Sequence, residues 1–298
     1  MLPQVLFYLT QCLTPLNWMS VDYDLITEIG GTPITNEAAS MLYTRYALAA
    51  DLARGRRTLE IGCASGIGLG LMLGAGTFVV GGDVHLPMLL SAKRHYQERV
   101  PLLQFSATGL PFRKDSFDFV LFLEASYYVR EFSAALDEIG RVLAPRGVVL
   151  FVNANPERPD FVRSPFSEHY HSASEFRVLL ESRGYRVETA AAFPLDEHGE
   201  PHLFRGVMSK TIPYVRRAAE SLRLIPRTLR GRARIKRFIF GKLLTLPREL
   251  PTNFAAPEPR VPVGDLPVRN HKVIYVIGRR STAEVNAMPT LTKRGGHG

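Results

Sequence analysis

Glu60, Gly62, Gly66 and Asp83 are the residues whose types and spacing most directly imply chemistry. Residues 58–70 read Thr-Leu-Glu-Ile-Gly-Cys-Ala-Ser-Gly-Ile-Gly-Leu-Gly. The run 58–61 predicts a short buried strand, 62–66 a tight turn of small residues, and Ile67 the start of a helix. In such a strand–turn–helix unit, small residues let the backbone approach a nucleotide closely. Glu60, a carboxylate at the end of a buried strand, needs a partner. Asp83 ends the next expected strand, 77–82, and lies seventeen residues after Gly66. That is close to the ~20 residues that separate a glycine turn from a ribose-binding acid in a βαβ unit. A carboxylate there can accept from both ribose hydroxyls. The spacing Gly62-x-Ala64-x-Gly66 departs from the G-x-G-x-x-G of dinucleotide loops.

The elements that must position these groups follow from periodicity and punctuation. Residues 36–52 predict a helix, with Asn36 as its cap and Glu37 in its favourable first turn. A third strand is expected near 102–105 and a fourth at 119–123. Glu124, Tyr127 and Tyr128 follow the fourth, at the sheet edge where open α/β folds bind ligands. Residues 136–147 predict a helix closed by Pro145 and Gly147, then a strand at 148–153. His169 and His171 stand on the loop after it and are the first candidates for a general base, with Glu124 third. A helix at 174–182 stops at Gly184. Strands at 185–193 and 271–278 complete the set, the latter a buried central-type run.

The stretch Glu60-x-Gly62-x-Ala64-x-Gly66 resembles the glycine loop, E-x-G-x-G-x-G, of class I S-adenosylmethionine-dependent methyltransferases, with Ala64 at the middle glycine. Leu110-Pro-Phe-Arg-Lys-Asp-Ser-Phe-Asp118, running into Phe119-Val-Leu-Phe-Leu123, is similar to the L-P-F-x-x-x-S-F-D-x-V stretch of enzymes like the ubiquinone and menaquinone C-methyltransferases. The resemblance covers roughly 40–193 plus the last strand. It implies a Rossmann-like α/β fold with a seven-stranded sheet, strand seven antiparallel, flanked by helices. It also implies S-adenosylmethionine as cofactor and S-adenosylhomocysteine as product. The cofactor-binding residues it points to are Tyr23, Arg45, Glu60, Gly62, Cys63, Ala64, Gly66, Asp83, Val84, Ser106, Ala107 and Glu124. Within that set, Arg45 would meet the methionine carboxylate and Tyr23 would cover the sulfonium. Ser106 stands where the family usually places an Asp for the adenine amino group. Tyr128 stands where the family often has His, so Tyr127 and Tyr128 are expected to wall the methyl-transfer site or bond the acceptor. His85 falls in the loop beside the ribose or adenine.

The chain has 298 residues and a net charge of +9. That charge is concentrated: between Leu203 and Leu250 thirteen Lys/Arg face two Glu, so this segment carries +11 and the rest of the chain −2. The expected organisation is an apolar lead and cofactor-covering helices at 1–54, a cofactor-binding core at 55–193, and a basic, largely helical then Pro-rich insertion at 194–270. A final strand at 271–281 and a tail at 282–298 follow. Within the insertion, helices are expected at 212–224 and 228–246. Arg230, Arg232 and Arg234 are candidates for holding an anionic acceptor; a cap with solvated charges is the plain alternative for 205–248, and a membrane-surface contact a further option.

Two cysteines, Cys12 and Cys63, make no disulfide framework and no zinc spacing, which fits a cytoplasmic protein, with peripheral membrane contact as an option. The first nineteen residues lack a basic n-region and a clean cleavage site. The Asn/Asp-Pro-Pro-aromatic motif of base amino-methylation is replaced by Glu124-Ala-Ser-Tyr, and no cysteine follows Cys63 to act as a cytosine C5 nucleophile. No acidic cluster is spaced for a divalent metal. The expected function is direct methyl displacement onto a small-molecule or glycan/lipid intermediate. An RNA methyltransferase using the basic segment and a non-catalytic protein of the same fold are the alternatives, nucleic acid being the weaker partner.

Overall fold

The computed structural model describes residues 28–195 and 243–280. Its centre is β2 (Arg57–Ile61), whose Thr58–Ile61 are buried. β2 pairs in parallel with β3 (Phe78–Asp83) on one side and β5 (Phe117–Leu123) on the other. β4 (Leu102–Gln104) extends the β3 side. β6 (Leu143–Ala154) continues from β5, and β10 (His271–Arg280) lies between β6 and β7 (Tyr185–Pro194), antiparallel to both. The order is β4-β3-β2-β5-β6-β10-β7-β9. This is the expected methyltransferase-type sheet with one addition, the short eighth strand β9 (Val261–Pro262) on the outer edge. The strand order reverses between β2 and β5, the place where a crevice opens at the carboxyl ends.

Central parallel strands must be apolar on both faces. β5 shows this. Phe119, Leu121 and Leu123 enter one core with α1 (Asn36–Ala53), α2 (Leu69–Gly74) and α3 (Leu86–Tyr96). Val120 and Phe122 enter the other with α4 (Phe132–Val142) and α5 (Ala173–Glu181). α1 is therefore part of the main core: Leu42, Ala49 and Ala53 are fully buried.

Several expected boundaries move for local reasons. Thr35, not Asn36, caps α1, its hydroxyl accepting from the Ala38 N–H. α2 begins at Leu69 rather than Ile67, because the turn continues with Leu69 N–H donating to the Gly66 carbonyl. Pro145 and Gly147 do not close a helix. α4 ends at Val142, and both residues lie in the irregular start of β6, where the register against β5 shifts and Arg146 takes φ +63°. α5 starts with a capping box between Ser172 and Glu175.

The helix expected to run to 246 is also corrected at its end. Leu244–Thr245 form β8, antiparallel to β1 (Pro33–Ile34). The rest of the 212–224 and 228–246 helices, the lead 1–27, Tyr23, Arg230, Arg232, Arg234 and the tail after 280 lie outside the described residues. From β8 the Pro-rich segment runs back along α1, as an extended strap. Leu250 N–H donates to the Ile67 carbonyl, Asn253 N–H to Tyr43 Oη and Glu258 N–H to Thr44 Oγ1. Thr44 is fully buried because that bond satisfies it. Glu249 joins the strap to α3 through His95 and to the turn after α3 through Arg99. No helix among the described residues is long and apolar enough to cross a membrane.

Candidate active site

The glycine loop is held by its own backbone. Gly62 and Cys63 both donate to the Gly82 carbonyl, at 2.8 and 3.0 Å. Gly62 and Gly66 have φ of +74° and +77°. Ala64 sits at φ +48°, in the left-handed region that a methyl-bearing residue adopts at a cost of about 1–2 kcal/mol. What holds it there is Asp83, whose Oδ2 accepts from the Ala64 N–H at 2.8 Å while Oδ1 accepts from the His85 N–H at 2.8 Å. Burial pushes the Asp83 pKa up, against these two donors.

Glu60 finds its partner in Tyr46, whose hydroxyl donates to Oε1 at 2.7 Å. Oε2 is buried without a hydrogen bond. Burial raises this carboxyl to about 7, although the Tyr46 bond and the Arg45 charge pull it down. Tyr46 reaches it across Gly68, where a Cβ would fall 1.9 Å from the tyrosine ring. Arg45 is 8% exposed and forms an ion pair with Glu28. Burial works against its charge, but Glu28 and Glu124 more than offset that, so the guanidinium stays charged. Its Nε has no hydrogen-bond partner.

Of these groups Glu28, Arg45, Tyr46, Gly62, Ala64 and Asp83 border one cavity of about 890 Å³ at the carboxyl ends of β2, β3 and β5, whereas Glu60 and Gly66 are not among its lining residues. Its loop side is Gly62, Cys63, Ala64, Asp83 and Val84, with His85, Ser106 and Ala107 beyond. Ser106 is engaged with Thr108, Oγ to Oγ1 at 2.8 Å. Met41, Glu124, Tyr127, Tyr128, Val129 and Phe166 also line it. Glu124 stands at φ +49°, directly after β5. Its Oε2 accepts from Tyr127 Oη at 3.1 Å and from Ala154 N–H at 3.3 Å. Burial raises its pKa, and Arg45 opposes the rise. Tyr127 stacks on Tyr170, ring centroids 4.0 Å apart, and Tyr128 Oη bonds Ser164 Oγ at 2.6 Å.

His169 and His171 are not among the side chains lining this cavity, which corrects the first choice of base. Exposed His169 lies 3.4 Å from Glu175 on α5. His171 packs against Phe132 and Phe176, and burial lowers its pKa to about 4. The Tyr127 carbonyl accepts from the Glu168 and His169 N–H groups, and of these two residues only Glu168 lines the cavity. Among the contributors that escaped the sequence reading are Glu28 and Phe166. Neither lies in a motif, and only the fold brings them to the cavity. Among the described residues no group of three His, Cys, Asp or Glu side chains could hold a metal.

The residues present suit S-adenosylmethionine. Asp83 keeps lone pairs on both oxygens after its two backbone bonds, the chemistry a ribose diol needs. Arg45 lines the same space, and its charged guanidinium, whose Nε is buried without a partner, suits a carboxylate. Gly62 packs so closely that a Cβ would lie 2.7 Å from the Ala125 Cβ, so the cavity floor admits no side chain there.

Comparison with known proteins agrees. A family described as "Methyltransferase domain" matches residues 59–151. The fatty-acid O-methyltransferase of Mycolicibacterium smegmatis is 32% identical over 63% of this chain and 70% of its own length. A phthiotriol/phenolphthiotriol dimycocerosates methyltransferase of Mycobacterium ulcerans is 32% identical over 47% of this chain, which spans about half (53%) of that relative's length. The YcgJ protein from Bacillus subtilis superposes with a TM-score of 0.51 at 21% identity, covering 80% of this chain and 98% of YcgJ. A methyltransferase from Archaeoglobus fulgidus superposes at 0.52 with 13% identity, covering 81% and 94%. These two show the fold. The glycine loop, the sheet order and the 70% coverage of a curated relative converge on one family, and this chain belongs to it: the class I S-adenosylmethionine-dependent methyltransferases.

Proposed function

We propose that the protein transfers the methyl group to an oxygen of a lipid-type acceptor. The observation that carries this reading is the continuity of the cavity: the cofactor loop and the aromatic and apolar side chains of Met41, Tyr127, Tyr128, Val129 and Phe166 line one space of about 890 Å³. That volume is near the upper end for small-molecule sites, roughly 300–1,000 Å³. The names of the relatives, fatty-acid and phthiotriol dimycocerosates methyltransferases, support an acceptor of that class.

When bound, S-adenosylmethionine supplies an electrophilic methyl group on a sulfonium. The chain's own contribution is to hold and to align. In this reading the 62–66 loop and Asp83 hold the nucleoside, Val84, Ser106 and Ala107 border the base, and Arg45 anchors the carboxylate. Glu60 acts through Tyr46 on the loop side, and Tyr127 and Tyr128 wall the acceptor. The basic segment 205–248, with Arg230, Arg232 and Arg234, would hold anionic groups of the acceptor or of the lipid surface that carries it.

The test is transfer of label from methyl-labelled S-adenosylmethionine into an organic extract, with long-chain lipids and short polar acceptors supplied in parallel. Label in the lipid fraction is the expected result. Label confined to polar acceptors would overturn the reading. Charge reversal at the three arginines should raise the lipid KM and weaken vesicle binding; no change in either would remove that part.

A further inference from the structure

We infer that the reacting group of the acceptor is a neutral hydroxyl, deprotonated by Glu124, rather than a carboxylate. The inference rests on the lipid-acceptor reading and deepens it. Its first support is the charge inventory of the cavity. Among the described lining residues, five acids (Glu28, Asp83, Glu124, Glu131 and Glu168) face two arginines, Arg45 and Arg130. Each arginine already has its acid: Arg45 pairs with Glu28 and Arg130 with Glu168. Bound S-adenosylmethionine brings a sulfonium, an ammonium and a carboxylate, a net charge of +1 that balances one of the acids. An acceptor carboxylate would then enter a described lining that still carries two more negative charges than positive ones. Ion pairs of this kind are well matched only when opposite charges are available at close range. A hydroxyl adds no charge and meets no such opposition.

The second support is the placement of Glu124. It stands at the carboxyl end of β5, in the left-handed region at φ +49°. Non-glycine residues held there by their surroundings concentrate at functional sites. The surroundings that hold it are the Glu124 N–H bond to the Val152 carbonyl at 2.8 Å and the two donors on Oε2. Both hydrogen bonds to the carboxylate among the described residues fall on Oε2, so Oε1 is left for a ligand. A carboxylate fixed by one oxygen and open at the other has the geometry of a positioned base.

The groups that face it are Arg45 from α1, Glu28 ahead of β1, Tyr127 and Tyr128 after β5, Tyr170 from the loop before α5, and Tyr275 from β10. Burial raises the Glu124 carboxyl above the usual carboxylate range, which makes it a better proton acceptor once ionised.

The step balances as follows. The acceptor oxygen bonds to the methyl carbon while the carbon–sulfur bond breaks, its electron pair going to sulfur. The hydroxyl proton passes to Glu124 Oε1. Solvent removes that proton after the product leaves. A carboxylate acceptor would need no base, and Glu124 would then only repel it.

The experiment uses the full chain and two probes of matched chain length, methyl hydroxystearate and stearate. The expected result is ether formation from the hydroxy ester at least tenfold faster than ester formation from stearate. Glu124→Gln should lower kcat on the hydroxy ester about a hundredfold or more, the scale of general-base catalysis. Calorimetric affinity for S-adenosylhomocysteine should stay within threefold. Wild-type kcat/KM should rise with pH as Glu124 ionises, and the variant should lose that limb.

Faster methylation of stearate overturns the inference while leaving the lipid-acceptor reading intact, and needs no variant to fold. Glu124→Gln with kcat within threefold of wild type also overturns it. Loss of S-adenosylhomocysteine affinity in parallel with rate would make Glu124 a cofactor-binding residue instead. Label in neither probe refutes the lipid-acceptor reading, and this inference falls with it.

Discussion

Asp83→Ala should disable cofactor binding through two routes that can be separated. The side chain is placed to accept from the ribose hydroxyls, and it already accepts from the Ala64 and His85 N–H groups. A hydrogen bond to a charged group contributes about 1.5–3 kcal/mol. Two ribose bonds do not add fully, because one carboxylate makes both. A loss of about 3 kcal/mol is therefore the working figure, a weakening of roughly a hundredfold at 1.4 kcal/mol per decade. The second route is structural. Without the carboxylate nothing offsets the strain of Ala64 at φ +48°, so the loop relaxes even without ligand.

Asp83→Asn separates the two. It keeps an acceptor for one backbone donor but removes the charge, so it should lose affinity while disturbing the loop less than alanine. The assay is calorimetric titration with S-adenosylmethionine and S-adenosylhomocysteine, with amide exchange at 62–66 in the free protein as the loop readout. An Asp83→Ala protein that folds and binds both ligands within threefold of wild type would refute the reasoning. So would equal loop exchange in the alanine and wild-type proteins, for the structural half.

Other outcomes follow from single features. Ala64→Gly should relieve the left-handed strain against a larger unfolded-state entropy, a net gain of at most about 1 kcal/mol, read as a small rise in Tm with cofactor affinity kept. Glu60 has a folded pKa of about 7, above its unfolded value, so the folded state holds its proton more tightly. Stability should therefore fall as pH rises from about 4.5 to about 7, and Glu60→Gln should flatten that fall in urea titrations. Gly68→Ala should cost about 1–3 kcal/mol by driving a methyl into the Tyr46 ring, measured by thermal melting; a neutral result would mean Tyr46 has another place to go. Turnover should be unchanged by a chelator, and activity that vanishes and returns with magnesium would contradict this.

Much of the fold was legible because its signals are local. A glycine loop after a buried strand, an acid at the next strand's end, and an apolar run such as 119–123 each state their role within a few residues. Strand order and the antiparallel final strand came from family resemblance on those same motifs. The misplaced boundaries, at Thr35, Leu69 and 143–147, are places where a hydrogen bond or a register shift outside the periodic pattern decided the end.

What the chain by itself determined is the set of groups available: the loop, Asp83, Glu124, the tyrosine pair and the histidines of 169–171. What only the tertiary structure decided is which of them share a space. His169 and His171 are polar and near in sequence to the site, yet they lie against α5, His169 beside Glu175 and His171 on Phe176. Tyr46 meets Glu60 because α1 crosses Gly68, and Glu28 meets Arg45 because the chain ahead of β1 folds over α1. Such meetings are absent from any local pattern. They depend on the path of segments far apart in sequence and on the burial that makes an unpartnered charge costly.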